Sequence, residues 1–353
     1  MSEKMIKRFV ILALALSLLC PLFTSCEKPK ERFTTYTFDY FDTVTTIIGS
    51  ADSKEKFDEV ADRVLAELSR YHKLFTTYHR YDGLENLCTI NELVDGEHRV
   101  VTVDPKIIDM LSYAKEMHEK TDGKVNIAMG SVLSIWHEYR EIGISSPADA
   151  QLPPRELLED AAQHVDINSL VIDEENCTVT ITDPKMKLDV GAVAKGWAVE
   201  KIARSLEADG ITGYVLNVGG NVRTIGTKAD STPWTVGVEN PEDDPARPYF
   251  AELSLSGESL VSSGTYQRYY IVDGVRYHHI IDPATLYPAE EYLMVSIVTK
   301  SSADGDALST ALFCMSVEEG LEIIESLPGT EAMWVLQDGE QITSSGFSNY
   351  VKK

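Results

Sequence analysis

The side chains with the clearest potential for chemistry lie in three short segments that are far apart in the sequence. The first, KLDVGAVAKGWA at 187–198, places Asp189 at the end of a predicted strand and Lys195 in the first turn of a predicted helix. Small residues between a strand and a helix let a ligand approach the backbone, and a helix N-terminus favours a phosphate. The GxxxxGK[ST] spacing of a P-loop is absent. The segment indicates either a phosphate site or a simple strand-to-helix connection.

The second segment, SSADGDALSTALF at 301–313, predicts a helix with two oxygen donors on one face. Asp306 and Thr310 are four residues apart, so their side chains lie on the same side of the helix. A carboxylate and a hydroxyl suit Mg²⁺, which keeps waters and substrate phosphates as its other ligands. The alternative is an acidic cluster that complements the helix N-terminus, and Asp304 fits that role better than Asp306.

The third segment, YYIVDGVRYHHIID at 269–282, carries two adjacent histidines after a predicted hairpin turn at Asp273-Gly274. Alternation along the second strand puts Tyr277, His279 and Ile281 on one face, and His278 on the other. The two rings therefore cannot bind one metal ion from a regular strand, and at most one of them points into a site. A structural role is the alternative for either ring.

Two weaker signals accompany these segments. Gly219-Gly220 follows a hydrophobic strand and indicates either a close approach of the backbone to a ligand or a tight structural turn. Tyr78 follows a predicted helix and either stacks on an aromatic ligand or is simply an exposed loop residue.

The elements that must position these segments alternate irregularly between helices and strands. Residues 35–49 predict one strand, 53–75 an amphipathic helix, 169–182 a hairpin and 234–299 a mostly β region. Largely antiparallel strands mixed with helices in this way indicate the α+β class. No linker or repeat divides residues 34–353, which therefore predict one catalytic unit.

The N-terminal segment has the features of an export signal. A basic start precedes an apolar run from Phe9 to Cys20 that is shorter than the roughly 20 residues of a membrane-spanning helix. The stretch that ends in Cys26 resembles the lipobox of bacterial lipoproteins. This predicts a lipoprotein signal peptide at 1–25, lipidation of Cys26, a tether at 26–33 and an extracytoplasmic, membrane-anchored location. A plain secretory signal that is cleaved nearby is the alternative.

The overall charge restricts the partners. A formal net charge of −24 argues against a nucleic-acid partner, which needs a basic face. An anionic phosphate ligand would need a metal ion, backbone amides or a well-placed lysine to bind so acidic a chain. The cysteines form no CxxC or metal-type spacing, so thiol chemistry is not predicted.

Taken together and in this order, the motifs resemble those of the ApbE-type FAD:protein FMN transferases, which are exported, often lipid-anchored enzymes. The resemblance covers about residues 34–345. It is carried by TTY at 76–78, VNIAMGSVLSIW at 125–136, LDVGAVAKGWAVE at 188–200, NVGGNVRTIG at 217–226, VSSGTYQRYY at 261–270, HIIDPAT at 279–285 and DALSTALF at 306–313.

The resemblance implies a T-fold-related catalytic unit that binds FAD in a cleft. It also implies Mg²⁺-dependent transfer of FMN from FAD to a threonine or serine of an acceptor flavoprotein, such as a subunit of a membrane redox pump, with release of AMP. Attack by water would make the protein an FAD pyrophosphatase instead, and a flavin-binding lipoprotein without chemistry is a further alternative.

The resemblance also implies a role for each matching residue. His279 would be the general base, and Mg²⁺ would be bound by the main-chain carbonyl of Ala192 and the side chains of Asp306 and Thr310. FAD would be bound by Tyr78, Ala128, Met129, Gly130, Asp189, Lys195 and Ile280. The chain departs from the family at Leu286, where a glycine usually follows the threonine, and at 41–46, where a methionine–glycine pair is missing.

Overall fold

The structure is a computed structural model that describes residues 30–92, 100–242 and 244–353. The predicted signal peptide, Cys26 and most of the predicted tether lie outside these residues. Within the described part of the chain, no helix has both the length and the apolar character that a bilayer crossing requires.

Eight α-helices and fifteen strands make up the regular structure of the described residues. The helices are α1 (Lys54–Phe75), α2 (Leu87–Glu92), α3 (Pro105–Lys120), α4 (Gly130–Ser145), α5 (Arg155–Ala161), α6 (Ala194–Ala208), α7 (Ser302–Phe313) and α8 (Val317–Ser326). The strands are β1 (Glu31–Tyr40), β2 (Thr43–Ala51), β3 (Val101–Thr102), β4 (Leu170–Asp173), β5 (Thr178–Ile181), β6 (Tyr214–Val218), β7 (Asn221–Ile225), β8 (Trp234–Glu239), β9 (Tyr249–Leu255), β10 (Ser259–Gly264), β11 (Tyr269–Val272), β12 (Val275–His278), β13 (Tyr292–Thr299), β14 (Glu331–Leu336) and β15 (Gln341–Thr343). Short 3-10 turns lie at Pro147–Asp149, Ala162–His164, Ile167–Ser169 and Phe347–Asn349.

The centre of the molecule is an eight-stranded antiparallel sheet with the order β1-β2-β6-β7-β10-β13-β14-β15. Three small antiparallel sheets lie beside it: β3-β5-β4, β8-β9 and β11-β12. This confirms the predicted α+β class with antiparallel strands. The large sheet is open and does not close into a barrel, because β1 and β15 form its two edges.

The central sheet separates two hydrophobic clusters, and β13 shows how one strand serves both. Its Val295 and Ile297 belong to the cluster shared with α1, α6 and α7, whereas Met294 and Val298 belong to the cluster shared with β8 and β9. Successive side chains of a strand point to opposite faces, so a strand covered on both faces is apolar throughout. A third cluster joins α4 to β11, β12 and the segment after β12.

Three local predictions need correction. Residues 35–49 form the β1–β2 hairpin and not one strand; its turn residues, Phe41 and Asp42, adopt left-handed φ angles of 56° and 51°. The strand predicted to end at Asp189 is reduced to a single bridge between Lys187 and Met129. Strand β12 ends at His278, so the predicted alternation does not extend to His279, and Ile280 and Ile281 are both buried.

Contacts distant in sequence explain the unexpected hairpin turn. The backbone N–H of Phe41 donates to Nδ1 of His72, and the Arg268 guanidinium donates to the carbonyls of Phe41 and Asp42. No glycine marks this turn in the sequence, so local turn chemistry gives no signal for it.

Candidate functional site

The three chemical segments meet in one cleft of about 710 Å³, which lies within the range of small-molecule and cofactor sites. Nine of the residues predicted from the sequence line it: Tyr78, Met129, Asp189, Ala192, Lys195, His279, Ile280, Asp306 and Thr310. They come from five separate stretches of the chain, which the sheet and helices α4, α6 and α7 hold together.

The two remaining predicted FAD residues within the described part of the chain, Ala128 and Gly130, do not line the cleft. Both are buried, and the Gly130 N–H donates to the carbonyl of Lys187 at 3.0 Å. A Cβ atom on Gly130 would lie 2.5 Å from that same oxygen, so only glycine allows this approach. The Asp189 N–H in turn donates to the Ile127 carbonyl at 2.8 Å. These two hydrogen bonds therefore join the segment that carries Met129 to the segment that carries Asp189 at the cleft wall.

Lys195 and Asp306 form an ion pair across the interface between α6 and α7. Lys195 Nζ lies 2.7 Å from Oδ1 of Asp306, and the backbone N–H of Gly196 donates to Oδ2 at 2.7 Å. A Cβ atom on Gly196 would lie 2.4 Å from both the Asp306 Cβ and the Ser302 carbonyl oxygen. Glycine at this position therefore brings the two helices close enough for the carboxylate to reach the helix start.

The oxygen donors around this pair fit a hard divalent cation. The Gly196 N–H is directed at Asp306, so within the described residues the Ala192 carbonyl lacks the helical donor four residues later. Each carboxylate oxygen of Asp306 accepts one hydrogen bond and keeps a free lone pair. The Thr310 hydroxyl donates to the Asp306 carbonyl at 3.3 Å, which leaves its own oxygen available. All three residues line the cleft.

This donor set is small. No group of three or more histidine, cysteine or acidic residues in the described ranges could hold a metal ion. A Mg²⁺ ion at Ala192, Asp306 and Thr310 would therefore complete its coordination with water and substrate phosphate oxygens, as Mg²⁺ commonly does. The residues present fit the ion on those terms.

His279 faces the cleft with its Nδ1 buried, and no described residue hydrogen-bonds to that atom. Burial lowers the pKa of His279 to about 3, and the nearby positive charges of Arg268 and Arg140, together with His278, add to this effect. A hydrogen bond with the Arg268 backbone opposes this shift only in part, so the ring is neutral at physiological pH.

His278 has a different environment, although it also borders the cleft. Its Nε2 lies 2.7 Å from the Ala289 carbonyl, and its Nδ1 accepts the N–H of Ile280 at 3.2 Å. Its ring packs edge-on against Phe313 with centroids 5.6 Å apart. Burial lowers the pKa of His278, which favours the neutral ring that these two hydrogen bonds need. His278 fixes the path of the chain on which His279 sits.

The turn after Asp282 contains the most visible departure from the family pattern. Leu286 adopts a left-handed φ of 63°, the region that favours glycine, yet its side chain is buried. Trp136 Nε1 donates to the Leu286 carbonyl at 2.9 Å, and the Leu286 N–H donates to the Asp282 carbonyl at 2.8 Å. The turn therefore closes with leucine in place, and the apolar cluster beneath the cleft covers the side chain.

Gly219 and Gly220 have the structural role that the sequence offered as one of two alternatives. They form the two-residue turn between β6 and β7 with φ angles of 57° and 83°. Gly219 also lines the cleft, where a Cβ atom would lie 2.3 Å from the Thr43 hydroxyl oxygen.

Sequence reasoning missed most of the positive charge in the cleft. Besides Lys195, the lining contains Lys124, Arg140 and Arg268, against three carboxylates at Asp42, Asp189 and Asp306. A cleft with more basic than acidic side chains is unusual in a chain of net charge −24 and suits an anionic ligand. Arg268 lies within the YQRYY motif, so only its role was missed, whereas nothing local marks Arg140.

An aromatic wall completes the cleft. Tyr78 packs on the His137 ring at 5.0 Å between centroids, and Arg140 lies 2.7 Å from Nδ1 of His137. Burial and the adjacent Arg140 lower the pKa of His137. Burial raises the pKa of Asp189, opposed by the Gly191 N–H and the positive groups nearby. Tyr78 remains about half exposed, so one face is available to a planar ligand.

Comparison with known proteins identifies the family that this chain resembles in sequence and in fold. A model of the ApbE family matches residues 34–334. An FAD:protein FMN transferase from Klebsiella pneumoniae (strain 342) is 32% identical over 289 residues, which cover 82% of this chain and 85% of that protein. The FAD:protein FMN transferase of Treponema pallidum (strain Nichols) is 32% identical over 266 residues, or 71% of each chain. The FAD:protein FMN transferase of Vibrio cholerae serotype O1 is 30% identical over 347 residues, which cover 94% of this chain and 96% of that protein.

Solved structures agree in fold. The crystal structure of the ApbE protein from Thermotoga maritima superposes with a TM-score of 0.78 at 28% identity and covers 92% of this chain and 100% of that one. The flavin transferase ApbE from Vibrio cholerae has the same fold, with a TM-score of 0.75 at 23% identity, covering 91% of this chain and 100% of that one.

Proposed function

Because this chain belongs to the ApbE family, we propose that it is an enzyme that transfers FMN from FAD to a threonine or serine hydroxyl of an acceptor flavoprotein, releasing AMP. The observation that carries the proposal is the convergence of Lys195, Asp306, Thr310 and His279 in one cleft. A protein that only binds flavin needs no base beside a phosphate site, whereas hydroxyl transfer does.

The charges and rings of the cleft provide for the two parts of FAD. Lys195, Arg140 and Arg268 would face the pyrophosphate, since they are the positive groups nearest to His279 and the Asp306 carboxylate. Tyr78 would stack on the flavin side, because its ring packs on His137 and the residue remains about half exposed.

We assign a Mg²⁺ site to the Ala192 carbonyl, the Asp306 carboxylate and the Thr310 hydroxyl. Mg²⁺ bound there would neutralise the charge that develops on the pyrophosphate when it is broken. Lys195 is paired with the same Asp306 carboxylate and would also neutralise charge on the pyrophosphate, which is needed because the protein as a whole is strongly acidic.

The transfer exchanges one phosphorus–oxygen bond for another. The acceptor hydroxyl oxygen attacks the phosphorus atom on the FMN side of the pyrophosphate, and the bond to the bridging oxygen breaks, so that AMP leaves with that oxygen. The hydroxyl proton passes to His279, whose neutral ring can accept it. No serine or cysteine nucleophile of this chain takes part.

The low pKa of His279 describes the protein without its substrate. Binding of a dianionic pyrophosphate beside Arg268 and Arg140 offsets their positive charge and favours the protonated ring, so the pKa should rise when FAD binds. The cleft would thus create a competent base only in the substrate complex.

We further propose that the mature protein acts outside the cytoplasm, attached to the membrane through lipidated Cys26, on subunits of membrane redox pumps. The basic and apolar signal-like N-terminus and the lipobox-like end support this location. The test is metabolic labelling with a palmitate analogue, which should mark the wild-type chain and not a Cys26→Ala variant. Equal labelling of both would refute the anchor.

One experiment separates transfer from hydrolysis and from simple binding. The chain without residues 1–25 is incubated with FAD, Mg²⁺ and the extracytoplasmic domain of a redox-pump flavoprotein subunit. Fluorescence of the denatured acceptor band together with AMP supports transfer. AMP with free FMN identifies a pyrophosphatase, and the absence of both products refutes an enzyme.

A further inference from the structure

Several exposed apolar side chains gather beside the mouth of the cleft. Tyr36 and Phe38 of β1 are 69% and 66% exposed, and Val44 of β2 is 44% exposed. Tyr36 and Phe38 are two residues apart on one strand face, with ring centroids at 6.0 Å. We call these three residues the hairpin lip.

The hairpin lip is continuous with the cleft. Phe38 and Val44 line the cleft itself, as do the turn residues Phe41 and Asp42 between them. The turn is fastened by His72 and Arg268, so the lip is held in place by the same arginine that borders His279. Apolar patches of this kind on a protein surface mark contact sites.

We propose that the hairpin lip is the docking surface for the acceptor protein, whose apolar residues beside the target threonine or serine lie across Tyr36 and Phe38. This inference rests on the proposed function, because a protein hydroxyl must enter the cleft where FAD is bound. A segment that enters past Phe38 must cross the lip to do so. Aromatic side chains carry much of the binding energy at such contacts.

The surrounding charge favours a protein over a membrane surface at this position. The lip is flanked by the exposed carboxylates of Asp39 and Asp42, which an anionic lipid surface would repel. A bilayer resting on the lip would also cover the cleft, which substrate and acceptor must both reach.

The test uses Tyr36, which does not line the cleft, in the chain without residues 1–25. Tyr36→Ser should raise the KM for the acceptor domain about tenfold, with kcat within about twofold of wild type and unchanged FAD binding. Tyr36→Phe, which keeps the aromatic ring, should leave the acceptor KM at the wild-type value. Tyr249→Ser on β9, another exposed tyrosine on a separate sheet, is the matched control and should leave the KM unchanged.

The outcomes distinguish this inference from the proposed function. If the wild-type protein transfers FMN and Tyr36→Ser has the same acceptor KM, the docking surface is refuted and the transferase stands. If Tyr36→Ser instead weakens binding of the chain without residues 1–25 to phosphatidylglycerol vesicles, with unchanged acceptor kinetics, the lip is a membrane contact and the inference fails. If the wild-type protein labels no acceptor, the proposed function is refuted, and the docking surface, which depends on it, is refuted as well.

Discussion

Replacing Asp306 with asparagine tests the pairing of α6 with α7 and the metal site at once. The Asp306 side chain is 7% exposed, and its carboxylate accepts hydrogen bonds from Lys195 Nζ and from the Gly196 N–H. An asparagine can accept only one of these bonds, because its amide nitrogen would meet the second donor. Asp306→Asn should therefore lower the free energy of unfolding even without metal. If the carboxylate were unpaired and served only to bind Mg²⁺, the same substitution would raise the free energy of unfolding of the metal-free protein.

The expected size follows from the burial of the two partners. A hydrogen bond to a charged group contributes about 1.5–3 kcal/mol, and breaking a fully buried ion pair costs about 3–5 kcal/mol. Lys195 keeps 23% of its side chain exposed and can turn towards water, so a loss of about 2–3 kcal/mol is expected. At about 2–4 °C per kcal/mol for a large domain, the unfolding midpoint should fall by roughly 4–12 °C.

Asp304→Asn is the matched control on the same helix. Asp304 accepts from the Tyr113 hydroxyl at 3.0 Å, a bond that an asparagine can keep, and it does not line the cleft. Only its favourable interaction with the helix N-terminus is lost, which is about 0.3–1 kcal/mol.

The assay is thermal unfolding of both variants with and without MgCl₂. A metal concentration about tenfold above the dissociation constant should stabilise wild type and Asp304→Asn by about 1.4 kcal/mol and leave Asp306→Asn unchanged. Equal destabilisation of the two variants, or equal stabilisation of both by Mg²⁺, would refute the reasoning.

The other predictions concern the histidines and the turn after them. His279→Ala should bind FAD normally but lose transfer by about 10²–10⁴-fold, as expected for removal of a base. His278→Ala should instead lower the free energy of unfolding by about 1–3 kcal/mol, because it leaves the Ala289 carbonyl and the Ile280 N–H unpaired. Transfer should fall less in His278→Ala than in His279→Ala. Equal loss of transfer in both variants would contradict the assignment of His279 as the base. The ring of His279 must be neutral to accept a proton and becomes inactive as the pH falls through its pKa. In the pH profile of kcat/KM for FAD, which reports the free enzyme, activity should therefore fall only well below pH 6. In the profile of kcat, which reports the FAD complex, activity should fall at a higher pH. If both profiles fell together near the ordinary pKa of histidine, FAD binding would not raise the pKa of His279. Leu286→Gly should destabilise less than Leu286→Ala in urea unfolding, by up to about 1 kcal/mol, because glycine relieves the left-handed backbone; the reverse order would show that the strain is unimportant.

The regular elements could be predicted where one face of the chain is buried and the periodicity is strong. In α1, Phe57, Val64 and Leu68 recur at helical spacing, and each is at most 1% exposed. The 169–182 hairpin is equally clear because its strands flank a polar turn. These elements depend on local patterning alone.

The β1–β2 hairpin could not be predicted, because its turn has no local signal. Phe41 and Asp42 adopt left-handed φ angles because their backbone is hydrogen-bonded to His72 and Arg268, which lie about 30 and 226 residues away in the sequence. Residues such as Phe normally avoid this conformation, so tertiary contacts overrode the local preference.

The candidate site was predictable in its members but not in its internal arrangement. The order of the motifs selected Lys195, Asp306 and Thr310, but their pairing joins helices that are 111 residues apart in the sequence. Gly196 carries no local signal in the sequence, and its role follows only from the close packing of α6 against Ser302 and Asp306. Arg140 was missed because its position in the cleft depends on how α4 packs against β11 and β12.

The ratio of products in a single turnover shows directly whether the FMN group reaches the acceptor or water. The chain without residues 1–25 is mixed with a limiting amount of FAD, with Mg²⁺ and with excess acceptor domain, and the reaction is quenched over time. We expect one covalently bound FMN on the acceptor for each AMP released, with both products lost together in His279→Ala. Release of AMP that outpaces covalent labelling, with free FMN making up the difference, would contradict this expectation.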